Sequence, residues 1–120
     1  MKNISLLLTF CCLLGIQIVQ AQQIEVSNLK KHIYYLADDK MQGRGTGSKE
    51  VFKAADYIEK EFKKYKLEPK GEKGYRQSFK AKVWKVKVAD SIRNADNIIG
   101  FLDNGADLTV VIGAHYDHLG

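Results

Sequence analysis

Two residues near the end of this 120-residue chain have the types and spacing to do chemistry together: His115 and Asp117, in the run Val110-Val111-Ile112-Gly113-Ala114-His115-Tyr116-Asp117-His118-Leu119-Gly120. On an extended backbone alternate side chains share a face, so His115 and Asp117 point together while Tyr116 and His118 point away. Neutral imidazole is the commonest metal ligand. A ligating histidine usually gives its other ring N–H to a carboxylate, which fixes the tautomer and raises basicity. Asp117 can be that carboxylate or can bind a metal itself. His118 is read as a loop side chain near the site with no role of its own. His32, beside the apolar stripe of a helix, is read as a packed or half-exposed histidine.

The elements around this pair are legible from pattern. Leu108–Ala114 is apolar without alternation, as in a strand covered on both faces. In open α/β sheets ligand sites collect just outside the carboxyl ends of such strands. A central strand is therefore expected to run into His115. Asn97–Leu102 reads as a second strand, and Asp103-Asn104-Gly105-Ala106-Asp107 holds an Asn-Gly turn, so the two are expected to pair antiparallel. Tyr75–Ala89 reads as extended. Phe79, Ala81 and Val83 share one face, then Trp84, Val86 and Val88 take the other, a change of phase that a bulge or strand break produces.

Two helices precede these strands. Ser27 is expected to cap a helix over Asn28–Ala37, with Leu29, Ile33 and Leu36 on one face. Val51, Ala54, Ala55, Ile58, Phe62 and Tyr65 recur at helical spacing across Lys49–Lys66, Glu59 and Lys63 make a well-oriented pair, and Pro69 and Gly71 are expected to end the helix. Between the helices, Asp38–Gly47 is a polar link that leads into Ser48 through Gly43-Arg44-Gly45-Thr46-Gly47. It has the look of an anion-cradling loop. It lacks the Gly-Lys-Ser/Thr of a Walker loop and the preceding strand of a dinucleotide fingerprint, so it reads as a flexible turn capped by Ser48. The fold class expected from this order is α/β: two N-terminal helices and a mixed sheet entered through an antiparallel hairpin.

The N-terminus reads as an export signal. Lys2 is a short positive start, Ile4–Val19 is apolar, and Val19-Gln20-Ala21 suits cleavage after Ala21. The run is short and carries Gln17, against roughly 20 apolar residues for a membrane span, so no stable anchor is expected after cleavage. Phe10 ahead of Cys11 does not suit a lipoprotein signal. Cys11 and Cys12, the two cysteines, fall inside this segment. Residues 22–120 therefore carry no disulfide, thiolate zinc site or cysteine nucleophile. Removing Lys2 from 19 basic residues leaves 18 against 14 acidic ones, a net charge of +4. The charge is spread along Lys49–Lys64 and Lys80–Lys87 as solvated faces, and no nucleic-acid partner is expected. The remaining length suffices for one small domain but not for an ordinary two-layer α/β enzyme.

Taken together, Ala114-His115-Tyr116-Asp117-His118-Leu119-Gly120, Asn97-Ile98-Ile99-Gly100 and Val110-Val111-Ile112-Gly113 resemble the co-catalytic di-zinc aminopeptidase family. Bacterial leucyl-type aminopeptidases, glutamate carboxypeptidase, the transferrin receptor and glutaminyl cyclases are members. Leu36-Ala37, Gly43-Arg44-Gly45-Thr46-Gly47-Ser48, Ala54-Ala55-Asp56-Tyr57-Ile58 and Tyr75-Arg76-Gln77-Ser78-Phe79 look like that family's N-terminal helices and first strand. The likeness covers nearly all of residues 22–120.

The resemblance implies a mostly parallel central sheet flanked by helices. It implies His115 as the first histidine ligand of one zinc, and Asp117 as the active-site aspartate that hydrogen-bonds it. Two zinc ions would clamp a water that, with a glutamate as base, attacks the first peptide bond of a peptide or protein N-terminus. With the export signal cleaved after Ala21, the enzyme is expected to be secreted or periplasmic. The resemblance implies that the bridging aspartate, the paired glutamates, the further acidic ligand and the last histidine of the family would lie beyond residue 120. Residues 22–120 are thus expected to be the N-terminal portion of a zinc peptidase domain, inactive alone because a catalytic zinc takes three protein ligands. The short interval from Phe79 to Asn97 leaves no room for the inserted protease-associated domain of some relatives. Two alternatives keep the fold: a mono-zinc glutaminyl cyclase, and a non-catalytic receptor-like binding module.

Overall fold

The computed structural model describes residues 24–85 and 88–120. The proposed signal, residues 1–21, lies outside them. The chain divides into two compact units, 1–30 and 31–120. In the first, the described residues run from Ile24 into the opening turn of a helix, α1 (Val26–Ala37). The second forms a small mixed helix-and-sheet domain. Its elements are the rest of α1, a 3₁₀ segment (Asp39–Arg44), α2 (Lys49–Lys64), β1 (Glu68–Pro69), β2 (Arg76–Lys85), β3 (Val88–Ile98) and β4 (Gly100–Phe101). Among the described residues no helix is long and apolar enough to cross a membrane.

Helix α1 begins earlier than its sequence suggests. The Glu25 carbonyl accepts from Asn28 N (3.0 Å) and Leu29 N (3.3 Å), which places Ser27 inside the first turn instead of at its cap. The apolar stripe is not sealed either: Ile33 is exposed. From Lys31 onward α1 meets α2 through rings. Tyr35 stacks on Tyr57 at 4.0 Å, and His32 Nδ1 lies 2.6 Å from the Tyr57 hydroxyl. His32 is a packed histidine.

Helix α2 follows its pattern closely at the start. Ser48 Oγ accepts from Val51 N (3.1 Å), satisfying one of the orphan donors of the first turn. Val51, Ala54 and Ala55 are buried, and Lys63 Nζ reaches Glu59 Oε1 at 2.7 Å. The end differs from expectation. Lys66 turns left-handed (φ 57), Leu67 N bonds Phe62 O (3.0 Å) and Lys66 N bonds Lys63 O (3.1 Å). That pairing is a Schellman closure, which stops the helix before Pro69 or Gly71 is reached.

The core is small. Among the described residues, Met41 of the 3₁₀ segment, Val51, Ala54 and Ala55 of α2, and Tyr75 and Ala95 beside and within the hairpin are buried. Tyr75 keeps its hydroxyl satisfied on Leu67 O at 2.5 Å. Arg76, at the start of β2, ties α2 to the sheet. Its guanidinium reaches Glu59 Oε2 (3.0 Å), Asp96 Oδ2 (2.8 Å) and Asp56 Oδ1 (2.5 Å).

The sheets are two antiparallel pairs, β2 with β3 and β1 with β4. The β2–β3 register runs from Arg76↔Ile98 to Val83↔Ser91 and shifts between Val83 and Lys85, where the change of hydrophobic phase falls. The polar stretch before Asn97, to which the sequence pattern assigns no element, is strand. Asp and Asn disfavour strands intrinsically, but cross-strand bonds such as Ser78 Oγ to Asp96 Oδ1 (2.6 Å) and Asn97 Nδ2 to Gln77 Oε1 (3.0 Å) override that preference.

The expected hairpin of Asn97–Leu102 with Leu108–Ala114 does not form. The turn between them closes locally, with Asp103 Oδ1 accepting from Gly105 N (2.8 Å) and Asn104 Oδ1 from Ala106 N (3.2 Å). Only Gly105 of the Asn-Gly pair has positive φ, whereas the type I′ turn that suits paired strands needs it at both residues. Asn97 and Ile98 pair with β2, and Gly100 and Phe101 pair with β1. Leu108–Ala114 lies outside any ladder, and Val111 and Ile112 are 89% and 91% exposed. A strand of this composition needs cover on both faces, and no described element supplies it.

Candidate functional site

Positioning of the His-x-Asp pair comes from the Gly-rich link between the helices. After Met41 the chain enters the left-handed region at three consecutive residues, Gln42 (φ 44), Gly43 (φ 66) and Arg44 (φ 45). Non-glycine residues adopt this conformation only where surrounding contacts hold them there. The contacts are with residues 116–120. Arg44 Nε donates to Tyr116 O (2.9 Å), Arg44 O accepts from His118 N (3.0 Å), and Gly43 O accepts from Gly120 N (3.1 Å). Gly45 and His118 form a parallel bridge. The two backbones approach so closely that a Cβ at Gly45 would stand 3.0 Å from Gly120 Cα, and one at Gly43 would stand 3.1 Å from the same atom. The glycines are there for that approach, not for flexibility.

This docking brings His115, Asp117 and Thr46 together. His115 Nδ1 lies 3.2 Å from Asp117 Oδ1, so the shared face expected of an extended backbone is realised. Thr46 Oγ1 donates to Asp117 Oδ2 at 2.8 Å. Burial alone would raise the Asp117 carboxyl, but hydrogen bonds from the Thr46 hydroxyl and the neighbouring His115 ring outweigh it and hold it below its ordinary value. An ionised carboxylate only accepts hydrogen bonds. His115 itself is 95% exposed, with Asp117 at 37%.

Tyr116 faces the opposite way, as expected. Its hydroxyl donates to the backbone oxygen of Asp96, and burial, reinforced by the Asp96 charge, pushes its pKa up to about 12. Tyr116 thus pins the motif to β3 while the Asp117 carboxylate bonds the loop at Thr46. The His118 side chain is exposed, and only its backbone takes part.

The donor chemistry of His115 and Asp117 fits one zinc ligand with its orienting carboxylate. It does not fit a complete site, since the described residues contain no group of three His, Cys, Asp or Glu side chains able to hold a metal ion. An open groove of about 450 Å³ between α1, from Lys31 on, and α2 lies apart from this pair and is lined by Lys31, Tyr35, Lys53, Tyr57 and Lys60 among others.

Sequence reasoning named His115 and Asp117 and missed Thr46 and Arg44. The available signal was the concentration of glycine around Arg44 and Thr46, which permits close backbone approach. In the sequence that glycine content reads as a flexible turn, because nothing local shows what approaches. Comparison with family models, with curated proteins and with solved structures finds no match for the chain.

Proposed function

We propose that this chain carries the first zinc-binding histidine, His115, and its orienting aspartate, Asp117, of an exported zinc metallopeptidase of the aminopeptidase type. The single observation that carries the proposal is the 3.2 Å approach of His115 Nδ1 to Asp117 Oδ1 on an anchored segment. The carboxylate takes the Nδ1 hydrogen, and the Nε2 lone pair is left for a metal. Structural histidines are usually satisfied by packing, as His32 is, whereas His115 is solvent-facing yet oriented.

Three protein ligands are needed for a catalytic zinc, so the remaining ligands and the general base would come from outside the described residues. In this proposal Leu108–Ala114 is a strand of a mostly parallel central sheet, and its bare faces are covered by those further elements. Zinc bound there would lower the pKa of a water to about 7 and polarise a carbonyl. His115 would hold the ion, Asp117 would keep the ring in the ligating tautomer, and the substrates would be peptide or protein N-termini. Two ions are expected in the complete site.

The test is made on the full-length protein. Zinc content is measured by elemental analysis, alongside release of leucine from leucyl-amide and of ammonia from an N-terminal-glutamine peptide. His115→Ala is expected to lower zinc content and abolish leucine release. Unchanged metal content and hydrolysis in that variant would remove the proposal, and ammonia release alone would move it to glutaminyl cyclisation.

A further inference from the structure

We infer that Thr46 is a positioning residue for His115, acting through Asp117: by occupying one carboxylate oxygen it commits the other to the imidazole and so selects the ring tautomer. The inference deepens the proposed metal role of His115, and its consequence for zinc rests on that proposal. Its claim about the tautomer does not.

The geometry is a short relay. Thr46 Oγ1 bonds Asp117 Oδ2 at 2.8 Å, and the remaining oxygen, Oδ1, faces His115 Nδ1 at 3.2 Å. Without the first bond the carboxylate can rotate about its terminal torsion, which is broad and nearly two-fold. It could then offer either oxygen, or solvent, to the ring. With that bond in place rotation is stopped from one side. Threonine suits this task better than serine in one respect, because its branched Cβ restricts χ1 and points the hydroxyl.

Thr46 is itself fixed from both directions. Ser48 N bonds Gly45 O at 2.9 Å, Arg93 Nη1 approaches Thr46 O at 3.5 Å, and the Gly45–His118 bridge sets the loop against the motif one residue away. The hydroxyl is therefore delivered by backbone docking from a loop some 70 positions upstream. A residue held only for helix capping would need no such arrangement, and Ser48 already performs the capping.

The experiment uses full-length protein as wild type, Thr46→Val and Thr46→Ser. Nitrogen-15 NMR of the metal-stripped forms, at a pH where His115 is neutral, reads its tautomer. Competition with a chromophoric chelator reads zinc affinity. In wild type the Nδ1–H tautomer is expected to dominate. Thr46→Val, which keeps shape and loses the donor, is expected to mix the tautomers and weaken zinc by about 10–100-fold, the usual effect of losing an outer partner. Thr46→Ser is expected to restore both.

A Thr46→Val variant with wild-type tautomer and affinity would overturn the inference. So would a dominant Nε2–H tautomer in wild type, a result that needs no variant to fold. Wild-type protein that binds no zinc but shows the Thr46-dependent tautomer would remove the metal reading of His115 and leave the relay standing. Zinc binding in wild type together with a His115 tautomer that is indifferent to Thr46 would do the reverse.

Discussion

Residues 108–112 and 116–120 are near neighbours in the chain and opposites in the structure. The first stretch has the composition of a buried strand, yet Leu108, Val110, Val111 and Ile112 are all bare. The second is polar and glycine-containing, and it is anchored at Tyr116, Asp117, His118 and Gly120 by bonds to β3 and to the 43–46 loop. Apolar character alone places nothing; it needs a complementary surface within reach. Directional groups meeting a backbone that glycine lets come close can place a segment with little burial. In the described residues the chemistry-bearing pair is held by a loop from far upstream and not by the strand that leads into it.

The comparison can be broken first at the clamp that ties α2 to the sheet. Arg76→Met would leave Glu59, Asp56 and Asp96 facing one another without their shared cation. Hydrogen bonds to charged groups and half-broken ion pairs make the expected loss about 2–3 kcal/mol, reduced on the Asp56 side because that carboxylate is largely exposed. Chemical denaturation checks it. The same network sets an acid limb. Glu59 is held below its ordinary pKa by Lys63 first and by Arg76 second, with burial opposing. Its contribution to stability is complete above the unfolded carboxylate value and is lost as pH falls through the lowered folded value. Arg76→Met should therefore shift that limb toward higher pH without abolishing it, since Lys63 remains.

A smaller effect is expected at the docking contact. Gly45→Val places a branched Cβ against Gly120 Cα, and one of the two backbones must move. The expected cost is about 1–2 kcal/mol, within the ordinary range for a strained substitution. Its signature is local: the amides of His118 and Gly120 should lose hydrogen-exchange protection while those of β2 and β3 keep theirs. Loss of protection across both regions would mean that the loop and the hairpin are one cooperative unit.

The least effect on folding is expected in the bare stretch. Ile112→Thr removes an exposed side chain and should change unfolding free energy by no more than about 0.5 kcal/mol. Each such residue would contribute about 1.5–3 kcal/mol if covered. A measured loss of that size on Ile112→Thr would therefore show that Leu108–Ala114 is an interior strand. The two outcomes sharpen the comparison in opposite directions.

How much was legible in the sequence follows from the range of each contact. Ser48 capping Lys49–Lys64, the Glu59–Lys63 pair and the phase change at Val83 are set by neighbours within a few residues, and all appear where the pattern put them. The shared face of His115 and Asp117 belongs to the same class, because alternation along an extended backbone is local. Helix α2 ends at Lys64 where Lys66 is expected, and α1 starts at Val26 where Asn28 is expected, small differences that arise because caps depend on dihedrals that several residues can adopt.

Other features were decided only when the chain closed on itself. The polar strand β3 exists because β2 lies beside it. The Asn-Gly turn failed as a hairpin because Asn104 did not go left-handed. Thr46 and Arg44 acquired partners about 70 residues away, and that distance hides them from any window read along the sequence. Composition and spacing determined which side chains could bind a metal and which way they face. Tertiary structure decided what holds them there, because a hydrogen bond between distant segments is formed by the fold and is not encoded at either end alone.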